Sequence, residues 1–153
     1  MKVKEIMIKD IASLKPDNGA YDALALLFKM QISGLPVIDA QGKLVGMFTE
    51  KDILSYILPS YIDKVGRFIY EEDSKSTKKK FIELSKMKVD QVMRRDVVTT
   101  TENTTLCEAA RVILTQRARR LPVVDESGKV VGIVARCDIL MAMAKEAEMS
   151  VDS

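Results

Sequence analysis

The chain of 153 residues has no histidine and no tryptophan, and only four Phe and four Tyr. Without histidine there is no Ser-His-Asp or Cys-His nucleophile, no His general base and no His-ligated zinc. The two cysteines, Cys107 and Cys137, lie too far apart for a CxxC pair and are too few for a disulfide framework. They read as reduced packing residues of a cytoplasmic protein. The N-terminal stretch MKVKEIMIKD lacks the apolar h-region of a signal peptide, and no apolar run approaches the roughly 18 residues of a membrane helix. Charge of one sign is also missing: 24 basic and 22 acidic residues leave +2. That is too little for counterion-release binding to nucleic acid.

What is present is a repeat. Residues 3–54 match residues 89–140 without a gap at an offset of 86, with fifteen of 52 positions identical; average composition gives roughly three by chance. The identities include Leu35-Pro36-Val37 with Leu121-Pro122-Val123, Asp39 with Asp125, and Gly42-Lys43 with Gly128-Lys129. Val45-Gly46 matches Val131-Gly132, and Asp52-Ile53-Leu54 matches Asp138-Ile139-Leu140. Two copies are too few for a solenoid, so they are expected to pack as a pseudo-twofold pair.

Each copy has the same local pattern. Thr105 with Glu108 forms a capping box ahead of Leu106, Ala109, Ala110, Ile113 and Leu114, whose spacing predicts an amphipathic helix. LPVVD, the turn ESGK and VVGIVA predict a hairpin, and RCDILMAMAKEAEM a closing helix. The first copy repeats this with DALALLFKM, LPVID, AQGK, LVGMF and EKDILSYIL. Short extended segments, Asp10 to Leu14 and Asp96 to Thr100, precede the first helices. The boundaries expected are 1–58 and 87–147 for the two repeats, 59–86 for a linker and 148–153 for a tail. In the linker, SYIDKVGRFIYEE and TKKKFIELSKM predict short helices around a polar break at Asp73 to Thr77. Lys75, Lys78, Lys79 and Lys80 read as a solvated loop, since no aromatic residues beyond Phe81 interleave them. Met141, Met143 and Met149 are expected in the core or a dimer interface.

The unit of extended segment, helix, hairpin and helix, with LPV-h-D, a G-K turn and G-h-h-T-x-x-D entering the last helix, resembles the CBS domain. Both copies match, and the pair looks like a CBS tandem, or Bateman module. The resemblance implies an α+β fold of two β-α-β-β-α repeats packed through their sheets, with two clefts. In this family such clefts commonly bind AMP, ADP, ATP or S-adenosylmethionine, and the modules frequently pair into disc-like dimers. It further implies a non-enzymatic regulatory role, exerted as a homodimer on an effector protein.

The residues support specific roles within that resemblance. Thr49 in GMFTEKD offers a hydroxyl beside the first N–H groups of a helix, a place for phosphate at the positive end of the dipole. Asp52 offers an acceptor pair for the two ribose hydroxyls. The same T-x-x-D is also a capping box, and both readings apply. In the second copy Ala135 replaces the threonine while Asp138 remains, so the two clefts are expected to be unequal. All seven arginines of the repeats lie in the second copy, and Arg119 and Arg120 immediately precede its LPV. By position in related pairs they would reach the phosphate held by Thr49 and Asp52, although a run of arginine also suits a solvated helix end. By resemblance the base would lie against Met47, Val97, Val98 and Thr99. The weaker cleft would be lined by Ile11, Ala12, Ser13, Ile133 and Asp138. The rival readings are a CBS scaffold that dimerises without a nucleotide, and an enzyme using Asp52 or Glu50 as acid or base, for which no second carboxylate is placed.

Overall fold

The computed structural model describes residues 1–58 and 74–149. The expected helix SYIDKVGRFIYEE lies outside them, as does the end of the tail. The elements are a 3-10 turn (Val3–Glu5), α1 (Ala20–Met30), β1 (Gly34–Ile38), β2 (Leu44–Thr49), α2 (Glu50–Ile57) and α3 (Ser74–Ser85). Then follow α4 (Val89–Val92), α5 (Leu106–Gln116), β3 (Arg120–Val124), β4 (Val130–Ala135) and α6 (Arg136–Glu146). β1 pairs with β2 and β3 with β4. The fold is α+β, as expected.

The described residues form two compact units, each assembled from discontinuous segments of the chain. One contains Ser13–Val37 and Val45–Arg95; the other contains Met1–Ala12, Ile38–Leu44 and the chain from Asp96. In the first, Ala20, Ala23, Leu24 and Leu27 of α1 share a buried face with Leu35, Val37, Phe48, Ile53 and Ile57. Leu84, Val89 and Met93 from beyond the first repeat complete that core. In the second, Leu106, Ala109 and Ile113 of α5 pack with Leu121, Val123, Val134, Ile139 and the N-terminal Val3. The 3.6-residue period of the helices and the two-residue period of the strands place these side chains together.

The hairpin turns explain two of the repeat's identities. Gly42 (φ 81°) and Gly128 (φ 86°) adopt left-handed conformations that cost a side-chain-bearing residue energy. Asp39 Oδ1 accepts the N–H groups of Gln41 and Lys43, both at 2.9 Å. Asp125 Oδ1 likewise accepts those of Ser127 and Lys129 at 2.9 and 3.0 Å. The hydroxyl of Ser127 and these N–H groups hold the Asp125 carboxyl below the usual carboxylate value. Both turns belong to the unit containing Asp96 onward, where Leu44 N–H donates to Gly128 O and Val130 N–H to Gly42 O.

Several expectations are corrected. Of the expected break at Asp73 to Thr77, the described part, from Ser74 on, is helical, so the lysines at 75 to 80 lie on a helix rather than in a loop. Lys80 sits 4.7 Å over the ring of Tyr56, whose hydroxyl donates to Glu83 at 2.8 Å, so this face of α3 meets α2. Leu114 is 74% exposed, because the buried stripe of α5 runs through Leu106, Ala109 and Ile113. Glu108 does not complete the predicted capping box; Thr105 accepts its N–H, but its carboxylate pairs with Arg111. The extended segments before α1 and α5 join the sheets through single parallel bridges, Leu14 with Val37 and Thr100 with Val123. Of the three methionines expected in the core or a dimer interface, Met143 packs on the core, and Met141 and Met149 are exposed within the chain.

The two glycines at the centres of β2 and β4 have no room for a methyl group. A Cβ on Gly46 would lie 2.5 Å from Met93 Sδ and 2.8 Å from the Arg94 carbonyl oxygen; one on Gly132 would lie 2.6 Å from Met7 Sδ. Gly46→Ala is therefore expected to lower stability by about 1–3 kcal/mol, read as a lower urea midpoint with an unchanged slope.

Candidate functional site

Phe48 and Gly46 are buried along β2 while Met47 and Thr49 are half-buried, so the alternation places Met47 and Thr49 on one face. Thr49 ends the strand in extended conformation (φ −127°, ψ 150°) and caps α2. Its Oγ1 accepts the Asp52 N–H at 3.2 Å and donates to Asp52 Oδ2 at 2.6 Å. The Glu50 N–H donates to Ser33 O at 2.8 Å. Two of the first N–H groups of α2 are thus engaged within the chain, and an anion arriving at them must exchange with these bonds.

Asp52 is engaged on its other oxygen too. Arg94 Nη2 donates to Oδ1 at 3.0 Å, forming an ion pair in which the side chains are 47% and 25% exposed. The arginine is delivered by its backbone: Met47 N–H donates to Arg94 O at 2.9 Å and Arg94 N–H to Met47 O at 2.8 Å. Gly46 permits that approach. Sequence reasoning missed Arg94 as a site residue. No signal in the sequence marks it: the repeat aligns Arg94 with Ile8, and only the structure shows that Ile8 makes the same two-way bridge with Ile133, at 2.9 Å each way.

The corresponding helix start in the other unit is built differently. Ala135 has no hydroxyl, and its N–H donates to Asp138 Oδ2 at 3.0 Å, so the aspartate alone caps α6. The Arg136 N–H donates to Arg119 O at 3.3 Å, and Arg120 pairs in register with Ala135. Arg119 is exposed and Arg120 half-buried. The closest thiol, Cys137 Sγ, lies 3.9 Å from Asp138 Oδ1.

Of the residues expected at the first site, Met47, Thr49 and Asp52 come together in one unit, whereas Val97, Val98, Thr99, Arg119 and Arg120 belong to the other. Val98 packs on the core of its own unit; Val97 is half-buried and Thr99 exposed. Of the second set, Ile11, Ala12, Ile133 and Asp138 share a unit, and Ser13 falls in the other. Among the described residues no cluster of Cys, Asp and Glu side chains is arranged to hold a metal, and no helix is long and apolar enough to cross a membrane.

Paired α+β repeats, each with a hairpin that runs directly into a capped helix, define a tandem of two small α+β domains. The CBS domain profile matches residues 3–59 and 89–145, and the chain belongs to the CBS-domain family. The uncharacterized protein MJ1426 of Methanocaldococcus jannaschii is 36% identical over 94% of this chain and 91% of that protein. The chloroplastic CBS domain-containing protein CBSX1 of Arabidopsis thaliana is 36% identical over 92% of this chain, which spans 63% of CBSX1. Inosine-5'-monophosphate dehydrogenase of M. jannaschii is 32% identical, but the match spans 23% of that enzyme. Among solved structures, CBSX2 in complex with AMP superposes with a TM-score of 0.74 at 29% identity, covering 95% of this chain and 98% of that one. The CBS domain pair of protein MJ0100 in complex with 5'-methylthioadenosine and S-adenosyl-L-methionine does so with 0.68 at 25% identity, over 95% and 98%.

The two helix starts supply a matched test of capping. Thr49→Ala is expected to cost about 1 kcal/mol, and Ala135→Thr, which installs the missing hydroxyl before α6, to stabilise by a similar amount. Thermal or urea unfolding of both variants checks the pair of signs.

Proposed function

We propose that the chain is a regulatory module that binds an adenosine-containing ligand, of the AMP, ADP, ATP or S-adenosylmethionine class, and passes its occupancy to a partner protein. The observation that carries the reading is the Thr49–Asp52 helix start: a carboxylate and a hydroxyl presented together at the positive end of α2. The likeness to CBSX2, solved with AMP, and to the MJ0100 pair, solved with two adenosine derivatives, supports the same ligand class. Met47 fits the reading by sharing a strand face with Thr49. Val97, Val98, Thr99, Arg119 and Arg120, and the second set of Ile11, Ala12, Ser13, Ile133 and Asp138, enter it by resemblance. No catalytic role is assigned to Asp52 or Glu50. Exposed thiols at Cys107 and Cys137 suit a reducing compartment such as the cytoplasm.

Ligand can alter output only through differential affinity for two arrangements of the protein, and a homodimer gives such a difference somewhere to act. Leu114 and Leu140 are 74% and 67% exposed on α5 and α6, with the exposed Met141 next to Leu140, which supports self-association through these helices. Sedimentation velocity is expected to show a dimer for the wild type and a folded monomer for Leu114→Asp/Leu140→Asp.

Calorimetric titration tests the ligand. An adenosine compound is expected to bind the wild type at submillimolar concentration, and Asp52→Ala to weaken it about ten- to a hundredfold, the loss of a charged hydrogen-bond acceptor. If AMP, ADP, ATP and S-adenosylmethionine all fail to bind the wild type, the reading gives way to a CBS scaffold that serves assembly alone.

A further inference from the structure

The Asp52 carboxylate, the group proposed to hold ribose, is already occupied. Thr49 donates to Oδ2 and ties it into the helix cap, which leaves Oδ1 for an incoming donor, and Oδ1 carries Arg94 at 3.0 Å. A ribose diol that engages this carboxylate on both oxygens competes with the guanidinium for Oδ1. The pair is partly solvated, so it is weak enough to be exchanged. Its backbone anchor is not: the two-way bridge to Met47 keeps Arg94 beside the site after its side chain has let go.

Resting on the nucleotide-binding reading, the geometry points to Arg94 as a latch that makes the Asp52 site selective for phosphorylated adenosine ligands. A neutral nucleoside that takes Asp52 strands the displaced guanidinium without an anion. S-adenosylmethionine does worse, since its sulfonium adds a second positive charge. A 5'-phosphate, tethered to the same ribose through C5', offers the planar guanidinium a bidentate, charge-assisted partner in place of the carboxylate. The exchange is then ion pair for ion pair. Arg94 thus opposes every ligand that binds Asp52, and compensates only those that carry phosphate.

The repeat provides an internal contrast. Ile8 occupies the position aligned with Arg94, makes the same backbone bridge and is 47% exposed, so the Asp138 helix start has no corresponding cation from this segment. The latch is a property of one unit, arising from a single residue difference on a shared backbone frame.

Calorimetric titration of AMP and adenosine into wild type, Arg94→Ala and Arg94→Gln tests the latch; the glutamine variant keeps a polar, uncharged side chain should the alanine variant fold poorly. The wild type is expected to prefer AMP to adenosine by at least tenfold. In the variants that preference is expected to fall by about tenfold or more, with adenosine binding as tightly as, or more tightly than, it binds the wild type. An AMP-to-adenosine ratio that the variants leave unchanged, or both ligands weakening by one common factor, overturns the latch while leaving nucleotide binding in place. Failure of AMP to bind the wild type removes both.

Discussion

The structure depends on a close backbone approach that only glycine allows. At Gly46 and Gly132 the strand entering each second helix is met by a segment preceding a first helix, with Met93 over one glycine and Met7 over the other. The reciprocal hydrogen bonds that follow, Met47 with Arg94 and Ile8 with Ile133, draw each segment against its strand. As a result each unit incorporates chain from both repeats: residues up to Arg95 complete the first core through Val89 and Met93, and Val3 completes the second. Burying these apolar side chains stabilises an exchange of segments that neither repeat could make within its own contiguous sequence.

The same approach places charge at the candidate site. A residue bridged to Met47 lies beside the start of α2, so the identity of residue 94 decides what accompanies Asp52. Arginine there yields an ion pair; isoleucine at the aligned position 8 yields an apolar side chain beside Ile133. The two helix starts therefore differ twice over, in hydroxyl (Thr49 against Ala135) and in cation (Arg94 against Ile8). The common frame makes these differences matter, since each acts at an equivalent point on an equivalent helix end.

Much of the fold was legible. The repeat, the helix and hairpin segments, the D-x-x-G-K turns and the threonine caps are all local, set by period, by positive φ at glycine and by short-range hydrogen bonds. Legibility failed where two faces compete for the same apolar residues. Leu114 carries helical spacing yet falls outside the buried stripe, because Ile113, Ala109 and Leu106 already fill the space against the sheet. Residues 74–77 read as a polar break, yet they are helical and extend the expected helix, which is joined to α2 through Lys80, Tyr56 and Glu83. Tertiary packing overrides composition there.

Sequence alone determined the family, the repeat's internal register and the chemical contrast between Thr49 and Ala135, because these reside in residue identity and short spacing. It gave no hint that Arg94 would face Asp52, forty-two positions away. That contact requires a backbone bridge to Met47, a glycine to make room and a core to hold the segment in place. Long-range charge pairing follows from the closing of the chain, and so only the tertiary structure decided which cation stands at the carboxylate.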